Sequence, residues 1–251
     1  MIEATDIPRT TRDRFIGGQL VIEQPKAGYR AGQDAVFLAA ACRASRPDRV
    51  LEFGCGVGTA LLCLGRRTGS DLTGVEIDQA TAELARANAA ENAVSARIIT
   101  ADLTNLPLDL REETFDHVLI NPPYFGPGSA SPVLNRDLAR REQTPLADWI
   151  DVALRRLRPG GELTIIHLAE RLSDILALLN ARAGRFEIKP LTPRAQKPAS
   201  RVVLRAIKGG ASVTTLYNPL ILHEGAHHHD GKSDFSDAAK QVLKHGQPLE
   251  F

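Results

Sequence analysis

The sequence predicts a doubly wound α/β fold: a mostly parallel sheet, helices on both faces and an antiparallel hairpin at one edge. Three observations carry that expectation. Strand-length apolar runs alternate with helix-length amphipathic segments from Val50 to Ala181. The first run ends in a glycine-rich turn, Glu52-Phe53-Gly54-Cys55-Gly56-Val57-Gly58. The last two runs, Phe186–Lys189 and Val202–Ala206, follow each other with no helix between them. Alternation of this kind argues for parallel strands covered on both faces, and two adjacent strands argue for a hairpin added to the edge.

The elements follow in order. Residues 1–14 are polar and charged and are expected to be a loose arm. Gln19–Pro25 reads as a short strand stopped by proline, and Ala27–Gly32 as a turn. Gln33-Asp34 opens a helix through Cys42, with Asp34 near its positive end. Val50–Phe53 is a buried strand and Gly58–Arg67 the helix after it. Leu72–Glu76, Ala96–Thr100 and Phe115–Ile120 are further strands, with a helix over Gln79–Glu91 between the first two. Leu146–Leu157 is a helix stopped by Pro159-Gly160-Gly161. Glu162–Leu168 is a strand, and Glu170–Ala181 a helix closed by Gly184. The tail from Tyr217 is less regular, with a short helix expected over Asp237–Lys244 and Ser236 as its cap. The Gly- and Pro-bearing loop 125–144 lies where a substrate-facing lid would lie.

Bulk properties narrow the function classes. A chain of 251 residues is ample for one α/β domain with additions. The expected division is an arm, hairpin and helix over 1–45, the main domain over 46–210 and an extension over 211–251. Net charge is +1, so any nucleic-acid surface must be a local patch. No apolar run approaches the ~20 residues of a membrane span, and the acidic start Met1-Ile2-Glu3 does not read as a signal peptide. Cys42, Cys55 and Cys63 have no paired spacing and read as reduced thiols of a cytoplasmic protein.

The glycine turn ends a strand, where ligands bind in open parallel sheets. Gly54, Gly56 and Gly58 are spaced G-x-G-x-G, unlike the dinucleotide fingerprint G-x-G-x-x-G. Such a turn admits a ligand without Cβ clashes, and no helix terminus need grip a pyrophosphate. Glu76 ends the next strand and is expected to accept hydrogen bonds from both hydroxyls of a ribose. Asp102 ends the third and could accept from an adenine amino group. Glu52 is expected near the amino-acid part of the cofactor, against the alternative of a solvent-facing or capping carboxylate. By itself the cluster could also be a nicotinamide site or an ordinary strand-to-helix turn.

The fourth strand of the alternation runs into Asn121-Pro122-Pro123-Tyr124. An exocyclic amine conjugated to a ring is a poor nucleophile, because its lone pair is delocalised. Asn121 can accept one N–H through its side-chain oxygen, and the Pro122 carbonyl, fixed by two prolines, can accept the other. Tyr124 offers a face on which a planar group can stack. Positioning then carries most of the catalysis. Turn and tetrad together read as methyl transfer from S-adenosylmethionine to a planar nitrogen. Asn121 would touch the target amine beside the cofactor.

At these residues, over about 15–210, the chain resembles the S-adenosylmethionine-dependent methyltransferases with an N-P-P-[YF] motif, whose fold is the Rossmann-like class I sheet. Gly28-Tyr29-Arg30-Ala31-Gly32-Gln33-Asp34-Ala35-Val36-Phe37-Leu38-Ala39 is similar to the bacterial valine-tRNA adenine-N6 methyltransferase family. So are Leu157–Gly161, and Lys189–Pro193 leading to Arg201–Leu204. That family modifies the adenosine just 3′ of the anticodon. The resemblance implies that Gln33 and Asp34 edge the methionine part of the cofactor, and that the partner is RNA, a tRNA.

Other features weigh less. His227, His228 and His229 are adjacent, point in different directions and lack a completing Cys or carboxylate set, so no metal is expected. Arg136, Arg140 and Arg141 could touch phosphates, but Asp137 and Glu142 lie among them. The segment from Arg185 to Lys208 has seven cations against Glu187 and is the better phosphate-binding candidate, with Arg194, Lys197 and Arg201 foremost. Trp149 reads as core. Competing targets for the same chemistry are a protein glutamine amide (N5) and the guanine N2 of ribosomal RNA. DNA adenine would want a target-recognition domain. A cofactor-binding protein that only docks RNA would be expected to have a degraded tetrad.

Overall fold

The computed structural model describes residues 10–28, 30–124, 144–211, 213–225 and 234–251. β1 (Thr10–Phe15) and β2 (Leu20–Pro25) form a two-stranded antiparallel hairpin. α1 (Gln33–Ala41) leads to β3 (Arg49–Phe53), α2 (Thr59–Thr68), β4 (Asp71–Glu76), α3 (Gln79–Glu91) and β5 (Arg97–Thr100). α4 (Leu108–Glu112), β6 (Phe115–Ile120), α5 (Leu146–Arg156), β7 (Leu157–Leu168) and α6 (Leu172–Leu179) follow. β8 (Ala183–Arg194), β9 (Arg201–Lys208), β10 (Thr214–Leu216), β11 (Leu220–His223) and α7 (Asp237–His245) complete the described elements.

Among the described residues the main sheet runs β10-β8-β9-β7-β6-β3-β4-β5, with β11 also on β8. β9 alone runs against its neighbours, β7 and β8. The expected antiparallel pair is therefore present, but it is not the edge. β10 and β11 extend the sheet beyond β8, both parallel to it. Pro190 explains why two short strands lie there. It has no N–H to give to a ladder, and it falls between the β10 pairing, which ends at Ile188, and the β11 pairing, which begins at Leu191.

Successive residues on a strand face opposite sides, and this sorts the core. Val50, Leu119, Ile166 and Val203 face the layer of α1, α2 and α3. Leu51, Ile120, Ile165 and Leu204 face the layer of α5 and α6. Strands buried on both faces read as continuous apolar runs, which is why these were legible in the sequence.

Two further expectations need correction. Thr10–Phe15 is a strand and not part of a loose arm; residues 1–9 lie outside the described part. Its polar side chains are used: Asp13 accepts from Arg30 at 2.5 Å and from the buried Gln24 at 2.6 Å. α5 ends at Arg156, and β7 starts at once at Leu157, carrying Pro159-Gly160-Gly161 within a register shift against β6. The tail helix is present with Ser236 as cap, accepting from the Ala239 N–H at 3.1 Å.

Asn88 of α3 and Asn92, its C-cap, clamp the N-terminal hairpin. Asn88 accepts from the Glu23 N–H at 2.8 Å and donates to the carbonyls of Glu23 at 2.9 Å and Val57 at 3.0 Å. Asn92 accepts from the Val21 N–H at 2.9 Å and donates to the Val21 carbonyl at 2.8 Å. Side-chain amides thus stand in for a neighbouring strand along β2.

Candidate active site

The chain runs β3, β4, β5 on one side of the sheet and then returns to β6 on the other side of β3. Such a switch point leaves a crevice at the carboxyl ends of the strands. Phe53 and Ile120 are register partners, so the glycine turn after β3 and the tetrad after β6 emerge side by side.

The turn requires its glycines. Gly54, Gly56 and Gly58 have φ of +65°, +57° and +87°, conformations that side chains disfavour. A Cβ on Gly54 would also lie 2.5 Å from the Trp149 ring, whereas one on Gly56 would meet nothing within 4 Å. Glu76 holds the turn: its carboxylate accepts the Gly56 N–H and the Asp78 N–H, each at 2.9 Å, and it has no exposed surface. Asn88 holds the same turn from the other side through the Val57 carbonyl.

Beside the turn lies a cleft of about 310 Å³, open to solvent, walled by Gly54, Val75, Ile77, Ala101, Leu103 and Trp149. Trp149 thus belongs to the core and also forms a wall of the cleft. Asp102 stands at the rim; its Oδ1 accepts from the Thr104 N–H at 2.8 Å and the Thr104 hydroxyl at 2.7 Å. Glu52 is buried, not solvent-facing. It lies near Cys63 and the N-terminal turn of α2, where burial pushes its carboxyl up to about 8, opposed by the Leu61 N–H. Burial and the nearby Glu52 push the Cys63 thiol up to about 12. Glu52 Oε2 has no hydrogen-bond partner.

On the tetrad side, Pro122 is buried and Asn121 and Tyr124 half-buried. Tyr124 Oη lies 2.5 Å from Asp34 Oδ2 and 3.0 Å from Asn121 Oδ1. Arg201 donates through Nε to the same Asp34 oxygen at 3.0 Å, and its guanidinium lies 4.5 Å from the Tyr124 ring centroid. Burial lowers the Arg201 pKa, but Asp34 and then Tyr124 outweigh it and raise the value. His167 meets the Tyr124 ring edge-on at 5.2 Å. Its Nδ1 accepts from the Leu168 N–H at 2.8 Å, so a neutral ring carries its proton on Nε2. Burial, then Arg171 and Arg201, hold it down at about 4. Gln33, exposed, is the first residue of α1, which places it next to Asp34.

The structure therefore gathers Gly54, Gly56, Gly58, Glu76, Asp102, Gln33, Asp34 and Asn121–Tyr124 at one end of the sheet. It splits the basic segment. Arg194, expected to meet phosphate, is buried; its guanidinium donates to Asp234 at 2.5 Å and to the carbonyls of Glu224 and Gly225. Arg205 is buried between Glu187, at 3.1 Å, and the Phe251 ring, and Lys208 donates to the Leu157 carbonyl at 2.6 Å. Lys197 is exposed on the β8–β9 connection. Arg201 belongs to the tetrad cluster rather than to a remote surface. His167 was missed; a lone histidine in an apolar strand gives no signal of its own. Arg136, Arg140, Arg141 and His227–His229 lie outside the described residues. Among the described residues no group of three or more His, Cys, Asp or Glu could hold a metal, and no helix is long and apolar enough to cross a membrane.

Comparison with known proteins agrees with this geometry. Residues 32–189 match the family described as Methyltransferase small domain. A tRNA1(Val) (adenine(37)-N6)-methyltransferase of Dickeya chrysanthemi is 32% identical over 204 residues, covering 79% of this chain and 80% of that protein. Among solved structures, a predicted O-methyltransferase from Agrobacterium tumefaciens aligns with a TM-score of 0.69 at 28% identity, covering 86% of this chain and 98% of that one. A T. thermophilus 16S rRNA methyltransferase, solved with AdoMet and guanosine, aligns with a TM-score of 0.57 at 26% identity, covering 82% and 53%. The chain belongs to the methyltransferase small domain family, and it is an S-adenosylmethionine-dependent methyltransferase.

Proposed function

We propose that the chain methylates N6 of an unpaired adenine in the anticodon loop of a tRNA. The observation that carries this is the tetrad Asn121–Tyr124 emerging beside the glycine turn at the switch point, in a chain whose curated relatives are named tRNA1(Val) (adenine(37)-N6)-methyltransferases.

The residues present fit the cofactor. Gly56 opens onto empty space, and the cleft between Ile77, Leu103 and Trp149 suits a flat adenine with Asp102 at its rim. In this reading Glu76 shapes the turn that receives the cofactor, and its carboxylate, covered in this structure, takes the ribose once cofactor binding uncovers it, since a carboxylate oxygen can accept more than one hydrogen bond. Gln33 and Asp34 edge the methionine part, and Glu52 backs it from beneath the turn. Bound there, S-adenosylmethionine supplies an electrophilic sulfonium methyl. Asn121 and the Pro122 carbonyl accept the two protons of the target amine and aim its lone pair, and Tyr124 packs on the base. A base must leave its stack to reach this pocket, which costs least for an unpaired loop nucleotide. Residues 46–210 are then the catalytic domain, with 1–45 and 211–251 as additions to it, and the cytoplasm is the compartment this substrate implies.

The test is tritium transfer to unmodified tRNA, followed by nucleoside mass spectrometry. Label in N6-methyladenosine is expected. Asn121→Ala should reduce transfer at least 100-fold, about 2.7 kcal/mol of barrier, while donor affinity stays within a few-fold. Label appearing only in guanine of ribosomal RNA or in a protein glutamine would replace the tRNA reading. An active Asn121→Ala enzyme would falsify the positioning role.

A further inference from the structure

His167 lies at the tetrad, and the transfer chemistry leaves it without a task. It is the last residue but one of β7, it is 1% exposed, and its ring centroid is 5.2 Å from that of Tyr124. Ile165 and Ile166 before it belong to the apolar core. A polar ring buried at the end of such a strand needs a reason. Its Nδ1 accepts the Leu168 N–H at 2.8 Å. That nitrogen carries no proton, so the neutral ring holds its proton on Nε2. Burial and the cations Arg171 and Arg201 disfavour the imidazolium, with the Leu168 N–H and Asp174 opposing them. The ring is therefore neutral in the physiological range, and one local bond fixes its tautomer. Nε2 is a donor and cannot accept. Among the described residues no group accepts its proton. The ring stands at 72° to the Tyr124 plane, so it is no parallel stacking platform for the same base. Its use is at an edge.

The acceptors of the tetrad suit any planar NH2 group and do not tell one from another. The targets differ in the atoms beside the amine. Adenine N6 stands between N1 and N7, and both are acceptors. Guanine N2 stands between N1–H, a donor, and N3. We infer that His167 is a specificity-determining residue of the target pocket: its Nε2–H donates to the ring nitrogen beside the adenine amine, N1 or N7. The inference rests on the adenine reading and deepens it. Acceptors for the amine and a donor for its neighbour match an edge of adenine whichever ring nitrogen is used. Guanine turned with N1–H toward His167 leaves two donors facing each other, out of reach of water. A glutamine amide also offers an acceptor, its carbonyl, so His167 sorts bases rather than amides.

Two measurements test this on the full chain. The first needs no substrate. With histidine rings labelled with nitrogen-15, the His167 signals are identified by their loss in His167→Gln. The neutral Nε2–H pattern is expected from about pH 6 to 8. An imidazolium, or a proton on Nδ1, overturns the inference.

The second is methyl transfer to an anticodon stem-loop whose target base is adenine, 1-deazaadenine or 7-deazaadenine. Each deaza base exchanges one ring nitrogen for C–H and keeps the amine. The wild type should lose about tenfold or more in kcat/KM on one of the two. His167→Phe keeps a flat ring without a donor; it should be slower on adenine and should treat the three bases alike. His167→Gln keeps an N–H and should restore part of the preference. Calorimetric affinity for S-adenosylmethionine should be unchanged in both variants, which shows the fold intact. A wild type that accepts all three bases alike, or a His167→Phe protein with the wild-type preference, overturns the inference and leaves the adenine reading standing. If the wild type labels no adenine in any RNA, the adenine reading fails and the role of His167 fails with it.

Discussion

Glu52 shows what burial does to a single carboxyl. It sits on β3 with almost no exposed surface, and burial raises its pKa from 4.5 to about 8. Between those values it is protonated in the fold and ionised in the unfolded chain, so folding becomes less favourable as pH rises. Its contribution is full below about 4.5, declines through the neutral range and levels off above about 8. Glu52→Gln, neutral at every pH, should remove that part of the slope. Chemical denaturation of both proteins from pH 5 to 9 checks this: the variant should gain most on the wild type at the alkaline end. Parallel curves would mean that Glu52 keeps its charge. The residue scale also separates what Arg194 and Arg201 do. Both are cations of the same sequence segment. One is held by Asp234 within the fold, and the other by Asp34 beside the tetrad.

Among elements, α3 is the one whose polar residues build structure. Asn88 and Asn92 pair with β2 as a strand would, and Asn88 also binds the Val57 carbonyl in the glycine turn. Asn88 is fully buried, so its loss leaves an N–H and two carbonyls without partners. Asn88→Ala should therefore destabilise the protein by about 2–4 kcal/mol, more than a surface substitution would. Through Val57 it should also weaken donor binding at temperatures where the protein is still folded. Thermal unfolding and calorimetric donor binding test the two effects. A variant with an unchanged midpoint would show that water replaces the clamp.

The net charge of the whole molecule is +1, so RNA affinity must come from local cations. Arg194, Arg205 and Lys208 are engaged internally, which leaves Lys197, on the connection into Arg201, as the exposed cation closest in sequence to the tetrad cluster. On the tRNA reading, Lys197→Glu should raise the RNA KM several-fold and lower the salt dependence of binding by about one to two phosphate contacts. Donor affinity should not change. Arg194→Ala should instead lower the melting temperature, by removing the guanidinium that binds Asp234 and the Glu224 and Gly225 carbonyls, with no change in salt slope at temperatures where it is folded. Filter binding over a salt series distinguishes them. A reduced slope for Arg194→Ala, or none for Lys197→Glu, reverses the assignment.

The parallel sheet was legible in the residues alone, because strands buried on both faces must be apolar throughout and the helices between them must show a one-sided stripe. So were the two motifs of the site, because a tight turn needs glycine and a rigid carbonyl needs proline. Polar strands were not. β1 is stabilised by Asp13, Arg30 and Gln24, and β10 is three exposed residues paired with β8. Their stability comes from partners distant along the chain, and no local periodicity records that. The roles of the cations were likewise decided only in three dimensions. Strand alternation and neighbouring acids sent Arg194 inward, left Lys197 outside and brought Arg201 to Asp34 and Tyr124. A charge in a sequence has a sign but no address; the pairing that sets its energy exists only once the chain has folded.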